Sequence, residues 1–154
     1  MQAIKIIKAQ LSDAQVVAQL VEKLLIELEP SAAGGVTQKE LTQITQALMT
    51  KDKIQAYLAY QGDNSVGVIT LHECAAIYAG GIFGEISELY VAPEYRSLKI
   101  GDQLINEAKE YGRKNNWQRL EVGTPSADGD SRTAKFYERQ GFNVTGLRMR
   151  CLIN

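Results

Sequence analysis

The sequence is poor in the residues that mark several classes of protein. Its 154 residues include 2 cysteines, 1 histidine, 3 prolines and 1 tryptophan. Two cysteines, Cys74 and Cys151, are too few for a disulfide framework, and a single histidine gives no zinc site of the usual composition. We therefore expect a chain with neither a disulfide framework nor a metal centre.

Excess charge and long apolar runs are also missing. Lys and Arg total 17 against 18 for Asp and Glu, a net charge of -1, so no basic surface for nucleic acid or an anionic membrane is expected. No apolar run approaches the roughly 18 residues of a membrane span. Lys5 and Lys8 interrupt the N-terminal stretch, which does not resemble a signal peptide. These features predict a cytoplasmic protein with one domain, 1–154.

Hydrophobic periodicity and turn residues predict the element order β-α-α-β-β-β-α-β-α-β-β. Three successive strands with short connections predict an antiparallel meander, and the strand after the third helix is expected to pair in parallel. Leu147, Met149, Cys151 and Ile153 alternate with other residues, which predicts a closing strand.

Helix boundaries are marked by capping patterns. Ser12 with Gln15 predicts the start of the first helix, and Thr37 with Glu40 predicts the start of the second. Gly141 is expected to end the last helix as a C-cap glycine.

The stretch "VAPEYRSLKIGDQL", Val91 to Leu104, runs from a strand through a loop into a helix. A helix N-terminus presents unpaired N–H groups and the positive end of the helix dipole, and phosphates bind there readily. On these residues alone, a plain strand–helix connection is the alternative.

Two motifs resemble the GNAT superfamily of acetyl-CoA-dependent N-acetyltransferases. Its motif A is Arg or Gln, two variable residues, Gly, one variable residue, then Gly or Ala. Here Arg96 and Gly101 match, and Lys99 replaces the central glycine. Downstream, "AKFYERQGF" (134–142) resembles motif B, where Tyr is followed by Glu, two variable residues, Gly and an aromatic. The resemblance extends from Ile4 to about Ile153.

The resemblance implies the α/β (α+β) fold of acyl-CoA N-acyltransferases. We therefore expect a mixed, mostly antiparallel sheet of about seven strands flanked by about four helices. It also implies acetyl-CoA as co-substrate, without a metal. Family members are often dimers, which leaves a homodimer open.

The resemblance assigns the pyrophosphate of coenzyme A to backbone amides of the motif A loop. These amides belong to Arg96, Ser97, Leu98, Lys99, Ile100, Gly101 and Asp102. Lys99 is expected to adopt helical angles at little cost, and its ammonium either attracts a phosphate or lies in solvent.

Pantetheine, by the same resemblance, enters a gap beside a bulged strand and pairs with free backbone groups. Leu89, Tyr90 and Val91 would supply one side of the gap. Val122, Gly123 and Thr124 would supply the other.

Tyr137 is the first candidate catalytic residue that the resemblance implies. A phenol of ordinary pKa stays protonated at neutral pH and can protonate a thiolate leaving group; the alternative is a packing role. Ser131 is a helix N-cap or, as the second reading, a coenzyme contact.

A carboxylate can take the proton of the attacking amine, directly or through water. Glu88 and Glu85 are the candidates for this base. The third alternative is that neither carboxylate acts as the base. Strict alternation places them on opposite strand faces, unless a bulge lies between them. His72 is a weaker candidate base.

The function implied is transfer of an acetyl group to a primary amine of a small molecule or peptide, by direct attack in a ternary complex. The alternative is a catalytically silent acyl-CoA-binding module that regulates or docks to a partner. The sequence does not select the amine.

Overall fold

A single mixed sheet organises the computed structural model, which describes residues 2–32, 35–123 and 131–153. Within these residues the sheet has five strands in the order β1-β2-β3-β4-β5. The strands are β1 Ile4–Lys8, β2 Gln55–Gln61, β3 Asn64–Ala76, β4 Gly81–Val91 and β5 Leu120–Val122. Neighbours are antiparallel except β4 and β5, which are parallel. The predicted meander and parallel crossover are confirmed.

Helices cover both faces of this sheet. They are α1 Ala14–Leu28, α2 Gln38–Thr50, α3 Ile100–Lys114 and α4 Arg132–Arg139. No helix in the described ranges is long and apolar enough to span a bilayer.

Strand alternation divides the buried side chains into two cores, because successive strand residues point to opposite faces. One core joins Ile69 and Leu71 of β3 to Ile100 and Leu104 of α3. The other packs Leu58 and Val68 of β2 and β3 against α1. We call the second side of the sheet the α1 face.

Capping explains where two of the helices begin. The Thr37–Glu40 capping box is confirmed: Thr37 N–H donates to Glu40 Oε2 at 2.9 Å, and Glu40 N–H donates to Thr37 Oγ1 at 3.1 Å. The Ser12 prediction is wrong. A 3-10 turn, Leu11–Asp13, precedes α1, and the Asp13 carboxylate accepts from Gln10 N–H at 2.8 Å. Ser12 lies inside that turn and cannot cap the helix.

The predicted C-cap glycine is confirmed at the end of α4. Gly141 has φ of 98°, a left-handed conformation that glycine adopts without steric cost. Its N–H donates to Glu138 O at 3.0 Å, and Phe142 N–H donates to Tyr137 O at 3.0 Å. This turn directs the chain away from the helix.

The prediction of about seven strands is wrong, because residues 143–153 form no strand. Their alternation is real, but the apolar side chains face solvent: Leu147, Met149 and Ile153 are 77%, 94% and 95% exposed. Alternation indicates which face a strand would bury but supplies no partner backbone.

Gly84 allows Trp117 to lie flat against β4. A Cβ atom on Gly84 would lie 2.0 Å from Trp117 Cζ3. Trp117 also donates from Nε1 to Glu73 Oε1 at 2.8 Å and packs edge-on against Tyr111, with ring centroids 5.2 Å apart. The indole therefore fixes the turn between α3 and β5.

Gly84→Ala should lower the free energy of unfolding by about 2 kcal/mol or more, since the methyl group must displace the indole. Denaturant titration measures the change. Gly123→Ala is the matched control, because among the described residues a Cβ there would meet nothing closer than 3.8 Å. An unchanged midpoint for Gly84→Ala would contradict this packing.

Candidate active site

A β-bulge at Ser87 sets the side-chain directions in the middle of β4. Leu71 of β3 pairs with Ile86, but the preceding Thr70 pairs with Glu88. Ser87 is therefore an extra residue, and β4 changes phase there. As a result Glu85 and Glu88 both project to the α1 face, where strict alternation would separate them.

The bulge coincides with the place where β4 and β5 part. Their last pair joins Ile86 to Val122, whereas β4 continues to Val91. Leu89, Tyr90 and Val91 still pair with β3 on one side. Their other edge has no strand partner among the described residues. Gly123 follows the end of β5, and Thr124 lies outside the described residues.

The N-terminus of α3 lies just beyond the end of β4. A 3-10 turn, Pro93–Leu98, joins β4 to Lys99, and α3 begins at Ile100. Gln103 N–H donates to Lys99 O at 3.2 Å. The N–H groups of Ile100, Gly101 and Asp102 precede this first intrahelical bond, so they are the groups that an anion can use. Within the preceding turn, Ser97 is exposed and Leu98 packs on the core.

Lys99 adopts a conformation that differs from the expected one. Its φ of 59° and ψ of 28° are left-handed rather than helical. This region costs an L-residue roughly 1–2 kcal/mol, and glycine occupies it freely. The left-handed backbone therefore explains why motif A has a glycine at this position. Lys99 occupies the position under strain.

Gly101 allows close packing between α3 and α4. A Cβ atom at this position would lie 3.0 Å from Phe136 Cζ. A second link joins the same helices, because Gln140 Nε2 donates to Asp102 Oδ1 at 3.1 Å. These contacts hold Tyr137 of α4 near the N-terminus of α3.

The Arg96 side chain braces the loop. Its Nε donates to Val91 O at 2.8 Å, and its NH2 group pairs with Glu27 Oε2 of α1 at 2.6 Å. Arg96 thereby ties the motif A loop to β4 and α1. The Glu27 contact spans 69 residues of sequence, and no local pattern in the sequence indicates it.

Tyr137 is both a packing residue and a protonated acid. It is 6% exposed, and its ring packs edge-on against Phe136 and Phe142 at 5.2 and 5.4 Å between centroids. Burial raises the pKa of Tyr137 to about 12, so the phenol carries its proton at neutral pH. Ser131 caps the same helix, since its Oγ accepts from Ala134 N–H at 3.0 Å.

The two carboxylates on the α1 face have different partners. The Thr70 hydroxyl donates to Glu88 Oε1, and Glu88 N–H donates back to Thr70 Oγ1 at 3.0 Å. Glu85 Oε2 accepts from Arg148 NH2 at 2.6 Å. Glu85 is therefore charge-neutralised by a guanidinium, whereas Glu88 is held by a neutral hydroxyl.

His72 and Cys74 lie beside Glu85. His72 Nδ1 is 2.7 Å from Ser87 Oγ, and its Nε2 is 3.7 Å from Glu85 Oε1. Burial, followed by the Glu85 charge, raises the pKa of the Cys74 thiol. A thiol with a raised pKa is a weak nucleophile at neutral pH, which disfavours an acyl-cysteine route.

A cleft of about 1090 Å³ opens between β5, α4 and the segment 140–148. Tyr137, Val122 and Gly123 line it, but Leu89–Val91 and residues 96–102 do not. Tyr137 thus stands between this cleft and the N-terminus of α3.

Comparison with known proteins identifies the family. The model of the acetyltransferase (GNAT) domain matches residues 52–144, which is more than half of the chain. The protein belongs to the GNAT acetyltransferase family.

The aminoalkylphosphonate N-acetyltransferase of Salmonella typhimurium is 34% identical over 91 residues. The match covers 59% of this chain and 58% of that protein. The chain thus matches little more than half of its relative's length.

Solved structures agree on the fold. A possible acetyltransferase from Clostridium difficile 630 superposes with a TM-score of 0.80 at 22% identity, covering 98% of this chain and 97% of the other. A predicted acetyltransferase from Clostridium acetobutylicum, with acetyl-CoA, gives 0.77 at 15% identity, with 97% and 96% coverage. At these identities the likeness establishes the fold alone.

Lys99→Gly should raise the free energy of unfolding by about 0.5–1 kcal/mol, because glycine removes the left-handed strain at a small entropic cost. Denaturant titration measures it. Lys114→Gly is the matched control: it makes the same change inside α3 and should destabilise by up to about 1 kcal/mol. Equal losses in the two variants would contradict strain at Lys99.

Tyr137 should make stability fall at high pH. Its pKa is about 12 in the folded state and about 10 when unfolded. Between these values only the folded state keeps the proton, so stability present below pH 10 is lost as pH rises. From about pH 9 to about pH 11.5 the wild type should lose about 2 kcal/mol more than Tyr137→Phe in denaturant titrations. Parallel curves for the two proteins would place the phenol in solvent.

Proposed function

We propose that this protein is an N-acetyltransferase that moves an acetyl group from acetyl-CoA to a primary amine of a small molecule or peptide. One observation carries the proposal: the Ser87 bulge falls where β4 and β5 part. The same residue both directs Glu88 to the α1 face and opens a backbone edge beside the N-terminus of α3.

The chain offers groups that fit the parts of coenzyme A. The N–H groups of Ile100, Gly101 and Asp102 suit the pyrophosphate, and the Lys99 ammonium adds positive charge beside them. The free edge of Leu89–Val91 suits pantetheine, which can pair with a strand edge through its amides. Bound there, acetyl-CoA supplies the acyl group as a thioester.

Tyr137 is assigned the role of general acid. Its phenol is protonated at neutral pH because burial raises its pKa. A protonated group within reach of the departing sulfur lowers the cost of releasing a thiolate. The packing of Tyr137 between Phe136 and Phe142 fixes the ring for that purpose.

Glu88 is assigned the role of general base in preference to Glu85. Glu88 lies beyond the last β4–β5 pair, on the part of β4 whose outer edge no described strand covers. Glu85 is paired with Arg148, so one of its carboxylate oxygens is already occupied by a guanidinium. A water molecule can relay the proton if the amine does not reach Glu88 directly.

The acceptor is proposed to be a small primary amine. The Salmonella typhimurium relative is named for aminoalkylphosphonates, which combine an amine with an acidic group. Because the match covers 58% of that relative, the acceptor class is part of this proposal.

Acetyl-CoA binding and amine-dependent thiol release test the function together. Millimolar acetyl-CoA should raise the melting temperature, since a ligand that binds only the native state stabilises it. An amine panel of aminoalkylphosphonates, polyamines, aminoglycosides, amino acids and peptides should include one compound that accelerates release of free coenzyme A. A melting shift without release for any amine would favour the silent binding module. No melting shift would contradict both functions.

Two variants separate catalysis from binding. Tyr137→Phe should reduce kcat by tenfold or more and retain the acetyl-CoA melting shift, because only the acid is lost. Glu88→Gln should reduce kcat/KM roughly 10²–10⁴-fold, and Glu85→Gln, the matched control, should reduce it less. Full turnover in Tyr137→Phe would remove its role as acid. A larger loss in Glu85→Gln would transfer the role of base to Glu85.

A further inference from the structure

Strand pairing assembles three different metal-ligating side chains next to the proposed base. His72 and Cys74 share one face of β3 because they are two residues apart. Glu85 is the direct β4 partner of His72. One ligand atom from each lies within 4.8 Å of the other two.

The His72 imidazole is already oriented to bind a metal ion. Its Nδ1 lies 2.7 Å from Ser87 Oγ, so Nε2 is the nitrogen that faces the carboxylate. A hydrogen-bonded second nitrogen fixes the ring of a metal-binding histidine. The bulged residue Ser87 supplies that partner here.

The distance between His72 Nε2 and Glu85 Oε1 is close to the spacing of two ligand atoms that bind the same cation. Their 3.7 Å separation is too long for a hydrogen bond. Two ligands on a tetrahedral zinc ion, with bonds of about 2.0–2.3 Å, are separated by about 3.3–3.8 Å. Glu85 uses Oε2 for Arg148, which leaves Oε1 for the ion. The three ligand atoms lie within 4.8 Å of one another, so binding one ion requires them to move closer together.

We propose that His72, Cys74 and Glu85 bind one divalent transition-metal ion of the zinc type. Nitrogen, sulfur and carboxylate oxygen together are the ligands that zinc uses, and three protein ligands leave a fourth position for water or a small ligand. A single histidine led us to expect no metal centre, because zinc sites of the usual composition contain more His or Cys ligands. A site made of one histidine, one cysteine and one glutamate does not require a second histidine. The inference does not rest on the proposed acetyl transfer.

Cobalt and zinc titrations of the chelator-treated full chain test the site without any acetyl-CoA. Calorimetry should find one Zn²⁺ per chain. Co²⁺ should produce the near-ultraviolet absorption of a thiolate–cobalt bond. Absence of saturable binding at one ion per chain would overturn the proposal.

Variants assign the ligands. Cys74→Ser should abolish the thiolate band and weaken Zn²⁺ binding at least about tenfold, and His72→Asn should weaken it similarly. Cys151→Ser is the matched control, since Cys151 is an exposed free thiol outside the cluster, and it should bind like the wild type. Circular dichroism checks that each variant folds. A band that survives in Cys74→Ser and disappears in Cys151→Ser would overturn the site.

Removing Arg148 tests whether Glu85 is a ligand, because a change in Zn²⁺ affinity would not be expected if His72, Cys74 and Glu85 only packed together. Its guanidinium competes with a cation for Glu85, so Arg148→Met should tighten Zn²⁺ binding about threefold or more. Unchanged or weaker binding in Arg148→Met would overturn the assignment of Glu85 as a ligand.

Discussion

The extra residue at Ser87 is the constraint on which the candidate site depends. Because the side-chain period of a strand is two, one inserted residue moves every later side chain to the other face. Glu88 therefore shares the α1 face with Glu85 and His72. Pairing with β5 stops at the same place, so in the described part of the chain the remainder of β4 has no strand partner on that edge. A regular β4 would place Glu88 and Glu85 on opposite faces.

The position of the α3 N-terminus is set by two features, backbone strain and close packing. Lys99 is left-handed, which directs the start of α3 toward the end of β4. Gly101 lets Phe136 approach, and Arg96 anchors the loop to Glu27. The motif A loop is thus held by contacts to β4, α1 and α4. Such anchoring suits a site that binds its ligand mainly through backbone amides, since those amides must keep their direction.

Local signals in the sequence predicted most of the local structure, with the Ser12 cap as the exception. The Thr37 capping box, the Ser131 N-cap and the Gly141 C-cap each depend on residues a few positions apart, and each is present. Features that need distant partners were harder to predict. The tail alternates, yet residues 143–153 form no strand, because alternation supplies no partner backbone. The left-handed Lys99 follows from tertiary packing, and the grouping of His72, Cys74 and Glu85 follows from strand register across the β3–β4 turn.

We propose that the N-terminus of α3 and the β4 edge that no described strand covers form one binding surface for coenzyme A. Amide hydrogen exchange, with and without acetyl-CoA, tests this claim residue by residue. Binding should slow exchange of the amides of residues 89–91 and 100–102 and leave exchange in the β1–β2 pairing unchanged. Protection confined to the cleft beside β5, or absent from both segments, would contradict it.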